Sequence, residues 1–268
     1  MRCTICPHEC DLDEGQKGFC KARICKNNEI ICANYGLITS IAVDPIEKKP
    51  LYRFHPGRPI LSVGSYGCNM SCSFCQNSGI SQKIVSAEYI SPQELVQIAL
   101  TVPDNIGVAF TYNEPLISYE YIMDTAPLLQ QAGLKVALVT NGLINEEPFL
   151  KLLPFIDAVN IDLKAFTDSF YKKHGGDLKT VKKSIELSAK HCHVEVTTLI
   201  IPDENDSAEE MRELTAWLAS ISLDIPYHIS RFFPRYNMSE KQPTSKERLF
   251  ELAEIARENL NFVYIGNI

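Results

Sequence analysis

Cys68, Cys72 and Cys75 lie in the run Gly67-Cys68-Asn69-Met70-Ser71-Cys72-Ser73-Phe74-Cys75-Gln76-Asn77, with C-x3-C-x2-C spacing. A [4Fe-4S] cluster takes four cysteine thiolates, so three would leave one iron open to a small molecule and to chemistry beyond electron storage. With 10 cysteines in 268 residues, chance alone yields such a triplet in on the order of one chain in a hundred. A structural zinc site needs a fourth Cys or His nearby, and residues 60 to 90 supply none.

Cys3, Cys6, Cys10 and Cys20 form a second set, C-x2-C-x3-C-x9-C, able to close around Zn2+ or an auxiliary iron-sulfur cluster. A segment of this length buries little core, and a metal staple would stabilise it. Free buried thiols are the alternative. Cys25 is a substitute ligand, whereas Cys32 and Cys192 sit in apolar, strand-like runs and read as core. Ala22–Lys26 and Glu29–Ala33 flank Asn27-Asn28, which predicts a β-hairpin after the metal loop.

The elements that must position the Cys68 triplet come next. Strands are expected at Pro59–Val63, Ile106–Thr111, Leu134–Val139, Ala158–Leu163, Val194–Ile201, Tyr227–Phe232 and Phe262–Ile265, mostly continuous apolar runs of the kind parallel strands buried on both faces show. Between them, Ser91-Pro92-Gln93-Glu94, Ser207-Ala208-Glu209-Glu210 and Thr244-Ser245-Lys246-Glu247 read as capping boxes, and Gly133 as a helix stop. Repeated β-α units without antiparallel hairpins predict an α/β fold: a full or partial parallel β/α barrel, with an open doubly wound sheet as the alternative. The expected division is a cysteine-rich, metal-stapled β cap at 1–58 and a barrel at 59–268.

Ligands gather at the carboxyl ends of such strands. The triplet follows the first strand through Gly64-Ser65-Tyr66-Gly67, read as a flexible lead. Other strand ends bring Asn113 and Glu114, Thr140 and Asn141, Asp162 and Lys164, and His228. Each has an ordinary reading alone: Glu114 as a helix-start carboxylate, Asn141-Gly142 as a turn, Asp162 and Lys164 as a local ion pair. Their convergence on one rim is the stronger signal.

Composition sets limits. A net charge of −7 and the lack of a basic recognition helix argue against nucleic acid as a partner and against reading the N-terminal cysteines as a DNA-binding zinc finger. No stretch approaches the roughly 18 apolar residues needed to span a bilayer, and there is no charged start followed by an apolar run. No membrane association and a cytoplasmic location are therefore expected. In that reducing setting ten cysteines favour metal ligation over disulfides.

The triplet, with Phe74 before its last cysteine and a β/α pattern around it, resembles the radical S-adenosylmethionine (SAM) superfamily. Asn160-Ile161-Asp162-Leu163-Lys164 and Ile225-Pro226-Tyr227-His228 resemble the activating enzymes of glycyl-radical proteins, including the pyruvate formate-lyase activator. Cys6-Pro7-His8-Glu9-Cys10 with Gly15 to Cys20, Asp44-Pro45-Ile46-Glu47-Lys48-Lys49-Pro50-Leu51-Tyr52, Thr111-Tyr112-Asn113-Glu114-Pro115 and Ser230-Arg231-Phe232-Phe233-Pro234 resemble the radical SAM member of the AmmeMemoRadiSam system over nearly the whole chain.

The resemblance implies a [4Fe-4S] cluster on Cys68, Cys72 and Cys75, SAM chelating its open iron, and reductive cleavage of SAM to a 5'-deoxyadenosyl radical that abstracts hydrogen. By position, Glu114 with Asn113 would receive the SAM ammonium, Lys164 would approach its carboxylate and His228 its adenosine side. It also implies an electron donor such as flavodoxin or ferredoxin, and as substrate either a backbone glycine of a partner protein or a small molecule handled with AmmeMemoRadiSam partner proteins.

Three departures stand out. Val139 precedes Thr140-Asn141-Gly142 where the activators place a cation-holding Asp. Thr197 occupies the position of a strand Arg. Longer AmmeMemoRadiSam members continue into a further Cys pair that these residues do not contain. The competing function class is an iron-sulfur electron carrier or metal sensor, which would need neither the barrel nor a polar rim around the cluster.

Overall fold

The computed structural model describes residues 1–268. The N-terminal segment carries β1 (Arg23–Lys26), β2 (Glu29–Cys32), β3 (Leu37–Ile38) and β4 (Ser40–Pro45). β1 and β2 form the expected hairpin. Asn27 and Asn28 both take positive φ, 54° and 60°, as the two central residues of a type I′ turn require.

β5 (Pro59–Gly64) leads through the cysteine loop to α1 (Ser78–Ser81) and the short β6 (Glu88–Tyr89), which pairs with β3. Helices and strands then alternate: α2 (Pro92–Thr101), β7 (Gly107–Phe110), α3 (Tyr119–Gln131), β8 (Lys135–Thr140), α4 (Glu146–Leu152), β9 (Ala158–Asp162), α5 (Asp168–Lys173), α6 (Leu178–His191), β10 (His193–Ile200), α7 (Ala208–Ile221), β11 (Tyr227–Arg231), α8 (Lys246–Arg257) and β12 (Val263–Gly266). The main sheet has eight strands in the order β12-β11-β10-β9-β8-β7-β5-β4. β5 and β7 through β12 are parallel, and the two edges, β12 and β4, do not pair with each other. A mostly parallel sheet that stays open is consistent with a partial β/α barrel.

One strand pairing crosses the expected boundary. β4 runs antiparallel to β5, in register from Ser40↔Gly64 to Pro45↔Pro59. Residues 46–58 fold back between them through a 3-10 turn at Ile46–Lys48, so the boundary expected at residue 58 falls between two paired strands. β4 hid in the sequence because it is an edge strand with Ile41 and Val43 about half exposed (46% and 50%). It therefore has neither a buried run nor a tight-turn signal beside it.

The sheet's two faces differ in residue size. Leu61, Val63, Val108, Phe110, Val136, Leu138, Val159 and Ile161 pack under the helices in the main core. Ala109, Ala137 and Ala158 face the concave side, where Ile46 and Leu51 of the fold-back segment fill the space they leave. The Asp44–Tyr52 motif is thus a plug in the barrel floor. Lys49 and Lys48 both bond Asp44, at 2.8 and 3.2 Å, and the Asn160 amide donates to Pro50 O.

Caps follow their sequence signals with two adjustments. The Ser91 box forms completely. Ser207 accepts from Glu210 N, but the Glu210 carboxylate accepts from Phe166 N–H instead of returning to the cap. At α8 the cap is Ser245, because the Thr244 hydroxyl donates to Ile200 O.

Candidate active site

The cysteine loop leaves the carboxyl end of β5 and is pinned along its length. Its lead is held, not flexible: Ser65 N donates to Asn113 Oδ1, and the Asn113 amide donates to the carbonyls of Tyr66 and Gly67. Asn113 thereby braces the loop with both of its amide atoms. Further on, Ser71 N donates to His174 O, Gln82 Nε2 to Met70 O and Asn77 Nδ2 to Tyr112 O. Cys72 is buried, while Cys68 and Cys75 are half-buried. Phe74 is buried against Phe170 and His174, which fixes the short C-x2-C turn. Asn141 Nδ2 points at Cys68 Sγ from 3.7 Å, a weak donor to sulfur of the kind that tunes an iron-sulfur site.

Glu114 is 2% exposed. Its Oε1 accepts from Leu116 N at 2.9 Å and from Thr140 Oγ1 at 2.6 Å, and its Oε2 from Asn141 N at 2.8 Å. The ordinary cap reading is therefore true and incomplete, since the same carboxylate joins the loop after β7 to the turn after β8. Burial raises its pKa to about 7, against those hydrogen bonds and the charge of Lys164. Asp162 and Lys164 form a 3.0 Å ion pair. Burial works against the Lys164 ammonium, but Asp162 and the Cys72 thiol keep its pKa well above the ordinary value. Both charges reach the cysteine loop: Glu114 holds Asn141, whose amide faces Cys68 Sγ, and Lys164 Nζ lies 6.0 Å from the ring of Phe74, the residue before Cys75.

Residues 62–215 match the radical SAM superfamily. The chain belongs to that family. An uncharacterized protein of Methanocaldococcus jannaschii is 37% identical over all of this chain and 81% of its own length. The pyruvate formate-lyase-activating enzyme of Clostridium pasteurianum is 25% identical, with 72% of this chain and 88% of that one covered. Among solved structures, a domain of a pyruvate-formate lyase-activating enzyme from Bacteroides vulgatus superposes with a TM-score of 0.52 at 21% identity, over 60% of this chain and 99% of that one. The chain is a radical SAM enzyme, and the family implies a [4Fe-4S] cluster and SAM. The Cys68 loop offers three thiols, with the Asn141 amide beside Cys68 Sγ, and cysteine thiols are the donors that such a cluster takes.

His228 is engaged within the sheet interior. It is buried, its Nε2 bonds Glu195 Oε2 at 2.6 Å, and its ring packs between Tyr52 and Tyr264. Glu195 escaped the sequence reading. Its side chain is fully buried on β10, and it also accepts from His193 Nε2 and from the backbone N–H of Tyr52 and Arg53. Burial alone would raise its pKa, but the donors from His193, His228 and Arg53 bring it down to about 2. The polar alternation His193-x-Glu195-x-Thr197 inside an apolar strand was the available signal. Thr197 donates to Asn160 Oδ1, so this interior layer is polar and closed on itself.

The four N-terminal cysteines share one cavity with His8, Phe19, Arg23 and Ile117. Cys3, Cys6 and Cys20 are buried and Cys10 is half-buried. Cys3 N donates to Cys10 O and closes the loop between them. Cys25 is buried on β1 and does not line the cavity. The cavity abuts the cysteine loop after β5. His8 Nε2 lies 2.8 Å from Asn69 O, and Gly67, at φ +88°, has no room for a Cβ, which would come within 2.4 Å of Cys20 O. No helix is long and apolar enough to cross a membrane.

Proposed function

We propose that this chain reductively cleaves SAM at a [4Fe-4S] cluster held by Cys68, Cys72 and Cys75, and uses the resulting radical to take hydrogen from a substrate. The observation that supports the reading is that a buried carboxylate, Glu114, and a partly buried ammonium, Lys164, both reach the cysteine loop: Glu114 holds Asn141, whose amide faces Cys68 Sγ, and Lys164 Nζ lies 6.0 Å from the ring of Phe74. When bound, the cluster and SAM together supply a one-electron scission of the sulfonium bond, giving methionine and a 5'-deoxyadenosyl radical.

The residues of the chain orient and exclude water. Glu114 retains acceptor capacity beyond its three donors, because an ionised carboxylate offers about four lone-pair sites. A SAM ammonium is the partner of matching charge, and a charge-assisted bond gains strength in a dry pocket. Lys164, held by Asp162, would meet the SAM carboxylate from the Cys72 side. Thr140 and Asn141 fix the Glu114 carboxylate, and Asn113 fixes the loop. With Thr197 engaged by Asn160 and Val139 unable to ligate a cation, Lys164 is the cation that this reading assigns to the SAM carboxylate.

Likeness to the Clostridium activating enzyme supports a partner protein as substrate, with flavodoxin or ferredoxin as electron donor. A small molecule handled with AmmeMemoRadiSam partner proteins is the other member of the same class. The N-terminal residues are read as a metal-stapled cap over the cluster loop. The test is anaerobic reconstitution with iron and sulfide, reduction with dithionite, and chromatography for 5'-deoxyadenosine after SAM is added. We expect product from the wild type and none from Cys72→Ala. Equal product from both would remove the triplet from the chemistry.

A further inference from the structure

Three observations converge on the N-terminal cavity. It gathers four thiols and no acidic side chain. Its lining includes Arg23, 5% exposed, whose Nε has no hydrogen-bond partner although its two terminal nitrogens bond Glu120. A buried guanidinium N–H without an acceptor is rare, and a thiolate or cluster sulfide inside the cavity would satisfy it. Lastly, the cavity wall is continuous with the Cys68 loop through His8 and Asn69 O, Cys20 O against Gly67, and Ile117, which touches both.

We propose that Cys3, Cys6, Cys10 and Cys20 bind a second [4Fe-4S] cluster that passes electrons to the cluster on Cys68, Cys72 and Cys75. The relay half of this proposal rests on the function assigned to that triplet. His8 lies two residues from Cys6 and two from Cys10, and its ring bonds the carbonyl of Asn69, the residue after Cys68. One His ring and one peptide therefore connect the two ligand sets. A low-potential one-electron donor gives up one electron and the N-terminal cluster gains it. That cluster is reoxidised as the triplet's cluster is reduced, and the electron ends in the sulfonium bond of SAM. Arg23 lends a cationic N–H beside the N-terminal thiolates, which favours the reduced, more negative state.

The experiment compares wild type with Cys68→Ala/Cys72→Ala/Cys75→Ala, which leaves the N-terminal set intact, after anaerobic reconstitution, reading iron, zinc and the electron paramagnetic resonance of the reduced proteins. We expect about eight irons per wild-type chain and about four in the triple variant, with Cys₄ ligation as for other such clusters. SAM should perturb the spectrum of the wild type only. A triple variant without iron that retains zinc overturns the proposal while leaving the triplet's function standing. About four irons in both proteins would instead support the N-terminal cluster and refute the triplet as a cluster site. For the relay, His8→Phe keeps the stacking on Phe19, seen at 4.3 Å, and should keep both clusters. It should slow reduction of the SAM-sensitive signal by roughly tenfold or more; an unchanged rate overturns the path through His8.

Discussion

Three buried carboxylates in this protein take different roles because their partners differ. Glu114 and Glu195 are both inaccessible, yet burial outweighs the donors and the Lys164 charge at the first and lifts it to about 7, while donors from His193, His228 and Arg53 outweigh burial at the second and hold it at about 2. Asp44, held by Lys49 and Lys48, also lies below its ordinary value despite burial. For Glu195 the sign is that of a depressed acid: its contribution to stability is complete above the ordinary value of 4.5 and is lost as pH falls toward 2. A shift of this size in a fully buried group corresponds to on the order of 3 kcal/mol. Glu195→Gln should therefore lower urea stability at pH 7 by about that amount. Its stability should also change less than that of the wild type between pH 5 and 2. Parallel pH curves for the two proteins would show that the charge of Glu195 does not support the fold.

At the level of elements, the fold-back from β4 to β5 organises the barrel interior. It carries Ile46 and Leu51 onto alanines of β7, β8 and β9 and presents the backbone of Tyr52 and Arg53 to Glu195. Leu51 has no exposed surface. Leu51→Ala should cost about 2–5 kcal/mol in chemical denaturation, since the small residues around it cannot close the cavity. A loss below about 1 kcal/mol would mean that the plug repacks and does not set the barrel floor. The same segment withdraws Lys49 from the surface, since it is buried against Asp44, while Lys48 pairs with Asp44 and stays exposed.

Across the whole molecule, the N-terminal residues form a wall of the site. Gly67 marks where that wall meets the cluster loop, since any side chain there would strike Cys20 O. Gly67→Ala should destabilise the protein by about 1–3 kcal/mol through its positive φ alone. It should also lower iron loading after reconstitution, as the loop is pushed off its seat. Calorimetry with iron analysis checks both, and unchanged loading would show that the loop folds independently of the N-terminal segment.

Much of this architecture was legible beforehand because the physics is local. Apolar runs of strand length, Ser91 with Glu94, and an Asn-Asn turn each carry their signal within a few residues, and so does C-x3-C-x2-C spacing. β4 was missed because an edge strand lacks a buried run, and Glu195 because a lone acid in a strand does not name its partners. Residues at 52, 53, 193 and 228 become neighbours only when the chain closes on itself. That Asn113 braces a loop, that His228 serves Glu195, and that the N-terminal thiols lie against the Cys68 loop are consequences of long-range packing. Spacing in sequence sets which groups one loop can offer, while the tertiary fold sets which groups from distant loops share a dry pocket, and there burial and pairing decide charge and chemistry.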